Sequence, residues 1–317
     1  MRNPSPLSGY FIGRNTLIMT KETKKIAAVI SLIIFSTFVG FYDRVQPKAR
    51  PTTSVLPKAS VMVIPIEGMI TSNGNQWEGS LVDIVADQLN QAKESKAVKA
   101  VVLRINSPGG TVGASQEIYD SIMRFKKDSG KQVIVSIMDI GASGAYWVAL
   151  AGDYIFSHPG SIVGSLGVIT QTMDLTNVPK KYALDVRTYK AGKHKDLLNP
   201  WRKPSKEDDQ LINKMLNTVH GQFKAALIER RNISKDRAEV LADGRVYAGQ
   251  DALAEELIDK LGGIHDAIQY AGKVSGVTNP KVIYPDRGLK DWVNSLRAFG
   301  GGAQLFNFAQ SGVQWMQ

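Results

Sequence analysis

Three short stretches carry residue types that can do chemistry. The first is Ile140-Gly141-Ala142-Ser143-Gly144-Ala145-Tyr146-Trp147, where one hydroxyl stands among residues with almost no side chain. Before it, Gln132 to Ile137 alternates as a buried strand does; after it, Tyr146 to Ala151 reads as an apolar helical turn. A serine at a strand-to-helix turn presents its oxygen while backbone N–H groups crowd close. That is the geometry of a nucleophile beside an oxyanion site, and a tight packing turn is the plainer reading. The second stretch is Asn106-Ser107-Pro108-Gly109-Gly110, between a buried strand and a helix. Paired glycines let backbone approach a ligand, and the helix that follows aims N–H groups at negative charge. A phosphate cradle, an oxyanion hole and a plain glycine turn all use such a run. No Lys-Ser/Thr follows it, and the dinucleotide glycine spacing is absent.

The third stretch, Tyr189 to Pro200, holds Lys190, Lys193 and Lys195. A nucleophilic serine needs a base, and the four histidines serve poorly. His158 precedes Pro159 in a loop, His220 lies inside a helical pattern, and His194 and His265 fit no Gly-x-Ser-x-Gly or Ser…Asp…His order. His194, beside Lys195, reads as a surface residue worth testing. A lysine acting as base has to be neutral, so a reference pKa of about 10.4 has to fall by about two to three units, roughly 3–4 kcal/mol. Burial beside apolar groups and a hydroxyl partner can supply that, and Gly164-Ser165-Leu166-Gly167-Val168 offers the hydroxyl. Spacing alone does not choose among the three lysines; a solvated basic loop is the expected role of two of them.

The elements that must position these groups alternate β and α. A strand Val61–Ile66 leads to a helix at 81–96 with Leu81, Val85 and Leu89 on one face. Val98–Ile105 is apolar on both faces, as in a parallel sheet, and a helix with Ile118, Ile122 and Phe125 inward precedes the strand that ends at Ser143. Short strands are expected at Tyr154–Phe156 and Val168–Thr170. A long amphipathic helix at about 205–231 opens on Ser205 and Asp208, spaced as a capping pair, and two more helices follow near 248–260 and 264–275. The class is α/β.

Composition sets bounds on function. Zero cysteines exclude disulfides, thiolate metal sites and a cysteine nucleophile. The net charge of +10 includes a local cluster of Lys193, Lys195, Arg202, Lys203 and Lys206. No zinc-finger spacing or aromatic–basic interleaving accompanies it, so a membrane-proximal or substrate-facing bias is expected rather than nucleic-acid binding. Residues 1–25 are polar. Residues 26–42 (IAAVISLIIFSTFVGFY) carry no charge and meet the lower length limit of a membrane span, about 17 residues. No small-x-small cleavage site follows, which favours an uncleaved single-span anchor over a secretory signal. Lysines before the span and Arg44, Lys48 and Arg50 after it leave orientation open. The proline-bearing linker at 43–60 then leads to a domain at 61–275. In the tail, 276–317, Trp292, Phe299, Phe306 and Trp315 among glycines suit docking on a neighbour or a membrane as well as a packed helix.

Together, Leu103 to Gly110, Ala142-Ser143-Gly144-Ala145-Tyr146, Gly164 to Val168, Lys195-Asp196 with Pro200, and Gly244-Arg245-Val246-Tyr247 closely resemble the signal peptide peptidase A family over residues 60–275. These are bacterial membrane-anchored serine proteases with the Clp protease/crotonase-type fold, a repeated ββα superhelix. The resemblance is to the half-length form. It implies Ser143 as nucleophile, Lys195 as general base, Ser165 as the hydroxyl orienting that lysine, and the N–H groups of Gly110 and Gly144 as oxyanion donors. It implies no cofactor or metal, and a homo-oligomeric ring, an octamer for this form, with each active site shared between adjacent protomers. The catalytic domain is expected on the extracytoplasmic side of the bacterial cytoplasmic membrane, degrading cleaved signal peptides. Two positions depart from the pattern. Ala145 replaces a commoner glycine and is expected to narrow the substrate groove, and Glu256 stands where glycine is usual. The rivals are a crotonase-type acyl-CoA hydratase or isomerase, which has no use for Ser143 or an anchor, and an inactive membrane scaffold, against which intact Ser143, Lys195 and Ser165 argue.

Overall fold

The computed structural model of the chain describes residues 59–74 and 79–285. The expected N-terminal segment and span, nearly all of the linker and the aromatic tail from 286 lie outside the described residues. Among those described, no helix is long and apolar enough to cross a membrane.

Strands that are apolar on both faces need a core on each side, and the sheet has both. In β1 (Ser60–Glu67), Met62, Ile64 and Ile66 enter one core while Val61 and Val63 enter the other. β2 (Val98–Ser107) divides Val101, Leu103 and Ile105 from Ala100 and Val102 in the same period-two way. β3 (Gln132–Ala142) lies parallel to β2, which lies parallel to β1. The larger core is covered by α1 (Leu81–Glu94) and α2 (Val112–Ser129), the latter through buried Ile118, Ile122 and Phe125. The smaller is covered by a helix at Ile264–Val274, through Ala267 and Ala271.

β3 is long enough to serve two partners on one edge. Its Ile134–Ile137 pairs with β4 (Tyr154–Ser157), and its Ile140–Ala142 pairs with β5 (Ile162–Gly164). Beyond β5 comes β6 (Val246–Ala248), the antiparallel member, and β7 (Lys260–Leu261) pairs with β4. β8 (Lys281–Ile283) adds to β1 a strand from beyond residue 275, where the tail was expected to begin.

After β3 come α3 (Gly144–Leu150), a short α4 (Val178–Lys181), α5 (Lys206–Arg231), α6 (Lys235–Leu241), α7 (Gly249–Ala254) and α8, the Ile264–Val274 helix. Ser205 and Asp208 form the expected capping box of α5. Two expectations are corrected. Val168–Thr170 is not a strand: the ladder stops at Gly164, Ser165 turns to φ 52, and Ile169 and Thr170 are exposed with no neighbouring strand among the described residues. The helix expected at 248–260 ends at Ala254, because Glu256 takes φ 59 and closes it.

That closure explains the departure at Glu256. Leu257 N–H donates to Ala252 C=O at 2.8 Å and Glu256 N–H to Leu253 C=O at 3.1 Å, the paired bonds of a Schellman cap whose left-handed position favours glycine. A non-glycine residue there costs about 1 kcal/mol. Glu256→Gly is therefore expected to raise the melting temperature by about 2–4 °C, read by thermal unfolding.

Candidate active site

Ser143 is placed by the handover from β3 to α3. Its N–H donates to Gly164 C=O at 2.7 Å, extending the β3–β5 ladder one residue past Ala142. The backbone then takes φ 54 and ψ −125, a region that costs a non-glycine residue on the order of 1–3 kcal/mol. Strain of this kind persists only where the surroundings over-determine it, and α3 is fixed on several sides. All seven of its residues are buried, Trp147 stacks on Phe223 of α5 with ring centroids 4.7 Å apart, and Tyr146 hydroxyl donates to Leu257 C=O at 2.6 Å. Burial also pushes the Tyr146 phenol well above its ordinary pKa, so it remains a donor. Ser143 itself is half-buried, and its hydroxyl bonds to no other described residue.

The glycine loop after β2 is laid directly on this turn. Asn106 stitches the irregular register where Ile105 faces Ile137 but Ser107 faces Gly141: its side chain donates to Asp139 and accepts from Ile140 N–H. Gly109 then adopts φ +97, and a Cβ on it would stand 2.8 Å from both Ala142 O and Gly144 N. Ile70 clamps the loop from the other side. Its N–H donates to Gly109 C=O at 2.9 Å and its C=O accepts from Thr111 N–H at 2.8 Å. Gly110 N–H lies between those two bonds and donates to no described residue; neither does Gly144 N–H, the first of α3. A Cβ on Gly144 would sit 3.3 Å from Gly110 N, so the two free N–H groups belong to one corner, next to Ser143. The 18-residue helix α2 begins just after Gly110 and adds the positive end of its dipole. Such a pair of donors can stabilise an oxyanion.

Ser165 belongs to the same corner. It follows Gly164, whose carbonyl holds Ser143, and its N–H donates to Arg245 C=O at 2.8 Å. Gly164, at φ +99, leaves room for the Tyr247 ring, which would lie 2.8 Å from a Cβ there. The Gly244–Tyr247 motif thus acts through β6, as the support of β5. Sequence reasoning missed Ser115. It is fully buried, and its Oγ would lie 2.2 Å from a Cβ on Gly144, so this contact dictates glycine after the serine. Ala145, expected to narrow a groove, is fully buried in the larger core and faces no groove.

Lys195 is exposed, in a turn where its N–H reaches Gly192 C=O, and no hydrogen bond or ion pair among the described residues joins it to Ser143 or Ser165. The three lysines nevertheless differ. Lys190 pairs with Asp196 at 2.6 Å and Lys193 with Glu207, whereas the Lys195 ammonium has no ion-pair partner among the described residues. His194 lies 3.3 Å from Glu207 and 3.8 Å from Asp208. The basic cluster read from sequence is thus largely offset by Asp196, Glu207 and Asp208, with Arg202 joining the two aspartates.

Those carboxylates are acid-sensitive. Hydrogen bonds from Arg202 and then Lys190 hold Asp196 down at about 2, and Arg202 with the Ser205 backbone holds Asp208 well below the carboxylate range. A depressed carboxylate stabilises the fold fully above its ordinary value of 3.8 and loses that contribution as pH falls through about 2. Between pH 4 and 2 the melting temperature should therefore fall more steeply in the wild type than in Asp196→Asn.

Comparison with known proteins is consistent with this geometry. Residues 125–278 match the model of peptidase family S49, and residues 60–178 match that of Clp protease, in keeping with the mixed α/β sheet. A protease-named protein of Synechocystis sp. is 34% identical over 189 residues, 60% of this chain and 68% of that one. A protease-named protein of Methanocaldococcus jannaschii is 36% identical over 195 residues, 62% of each chain. A protein of Enterococcus faecium named for signal peptide peptidase SppA is 33% identical over 196 residues, 62% of this chain and 57% of its own. The chain thus matches only about 57–68% of the length of these relatives. On these matches, the chain belongs to peptidase family S49.

Proposed function

We propose that the protein is a serine endopeptidase with a Ser/Lys dyad. The observation that carries the reading is Ser143, held at a strained φ of 54 next to the free backbone N–H groups of Gly110 and Gly144. In the reaction, Ser143 Oγ attacks the peptide carbonyl carbon while its proton passes to the neutral amine of Lys195, oriented by Ser165. Gly110 and Gly144 N–H groups hold the oxyanion. The C–N bond then breaks, the leaving amine takes the proton from Lys195, and water, deprotonated by the same lysine, releases the acyl group.

Lys195 comes from an adjacent protomer of a ring, an octamer in this form. Its exposure supports that arrangement, as does the apolar surface on the segment before it, where Ile169 is 80% and Tyr189 88% exposed in the single chain. The remaining assignments are a Clp protease/crotonase-type superhelix, an anchor at 26–42 in the bacterial cytoplasmic membrane, an extracytoplasmic catalytic domain, and released signal peptides as substrates. The name of the Enterococcus faecium relative supports the last.

A serine-directed phosphonate should label the detergent-solubilised protein at Ser143, as read by peptide mass spectrometry. An unlabelled Ser143 in folded protein would count against the peptidase and leave the hydratase reading, which needs the oxyanion donors but no nucleophile.

A further inference from the structure

The segment carrying Lys195 has no strand between Lys181 and Lys206; backbone turns such as Lys195 N–H to Gly192 C=O and Asn199 N–H to Asp196 C=O shape it locally, and side chains tie it to the helix that follows. Arg202 donates through Nε to Asp196 Oδ2 at 3.0 Å, and through Nη2 to Asp196 Oδ1 at 3.2 Å and its carbonyl at 3.0 Å. The opposite edge of the guanidinium uses Nη1 to reach Asp208 Oδ2 at 2.6 Å. Asp208 is fixed in turn, because the same Oδ2 accepts Ser205 N–H at 2.9 Å in the capping box of the 26-residue α5. Lys190 donates to the same Asp196 Oδ1 at 2.6 Å. One planar cation therefore ties the residue next to Lys195, through two carboxylates, to the first turn of the long helix. A fork of fixed donors can do this, and a point charge such as an ammonium cannot.

We propose that Arg202, gripping Asp196 and Asp208, is the positioning residue that holds Lys195 where it meets the serine. The inference rests on the reading of Lys195 as the base. Arg202 touches no reacting atom; it sets the backbone from which the lysine extends, and a misplacement of about 1 Å is enough to cost on the order of 100-fold in rate.

The test uses the full-length, detergent-solubilised protein, an ester substrate, and Arg202→Lys, Arg202→Met, Asp196→Asn and Lys195→Ala. Arg202→Lys keeps the charge and loses the fork. It is expected to lower kcat by about 10–100-fold with KM within about twofold, and to move the rising limb of the pH–rate profile to higher pH, with subunit number by light scattering unchanged. Should Arg202→Met fail to fold, the near-isosteric Asp196→Asn decides by the same kcat criterion. Wild-type kcat in folded Arg202→Lys or Asp196→Asn overturns the proposal, as does a lower kcat with an unmoved pH profile, which marks a merely structural contact. Turnover by Lys195→Ala would instead overturn the base assignment, whatever the arginine variants do.

Discussion

Ser143→Ala and Lys195→Ala subunits, each inactive alone, are expected to regain activity when co-assembled. Removing either member of a nucleophile–base pair costs on the order of 10⁴–10⁶-fold, so homogeneous preparations of each variant should fall to background. If a site draws its serine from one subunit and its lysine from the next, a random mixture rebuilds about a quarter of the sites with both groups intact. The physical ground lies in the separate settings of the two residues. Ser143 sits half-buried at the end of a strand, against the wholly buried helix α3, while Lys195 projects from an exposed segment with no ion-pair partner among the described residues. Turnover of a peptide or ester by the mixed assembly is the measurement. Background activity in a correctly sized mixed ring would show that each chain must supply both groups, and the shared-site arrangement would fall.

Gly110→Ala is expected to damage rate and stability together. An added Cβ would stand 1.8 Å from Ile70 O, a backbone atom fixed by its bond to Thr111 N–H, so the loop itself has to move. Loss of one oxyanion donor lowers kcat by about 100–1,000-fold. Overpacking the clamp costs about 1–3 kcal/mol. Gly113→Ala is the control three residues on: a Cβ there meets nothing within 4 Å, and it lies in α2, where alanine gains about 0.5–1 kcal/mol. The melting temperatures of the two variants should therefore shift in opposite directions, and turnover should fall in Gly110→Ala alone. Wild-type turnover in Gly110→Ala would remove Gly110 from the oxyanion site.

The expectations that held and those that failed separate along a physical line. Near-continuous apolar runs in Val61–Ile66, Val98–Ile105 and Gln132–Ile137 are a local signal for strands buried on both faces, and these became β1, β2 and β3. The Ser205–Asp208 spacing is equally local, and it marks the start of α5. Val168–Thr170 has the composition of a strand but no neighbour to pair with, and pairing is a tertiary event. The three-residue β6 and β8 are too short to show a period; they exist because β5 and β1 offer them an edge.

Residue types and order along the chain were enough to single out a small-residue serine turn, a paired-glycine loop and a lysine-bearing stretch as the chemical parts. Local pattern left the lysine open and could not say which contacts demand glycine at 109 and 144. Folding supplies those contacts and gives the three lysines different partners, because backbone dihedrals and contacts across distant segments are not written in local pattern. The crossing of two loops leaves Gly110 and Gly144 N–H groups side by side, Ser115 excludes any side chain at 144, and carboxylates engage Lys190 and Lys193 while leaving Lys195 unpaired among the described residues.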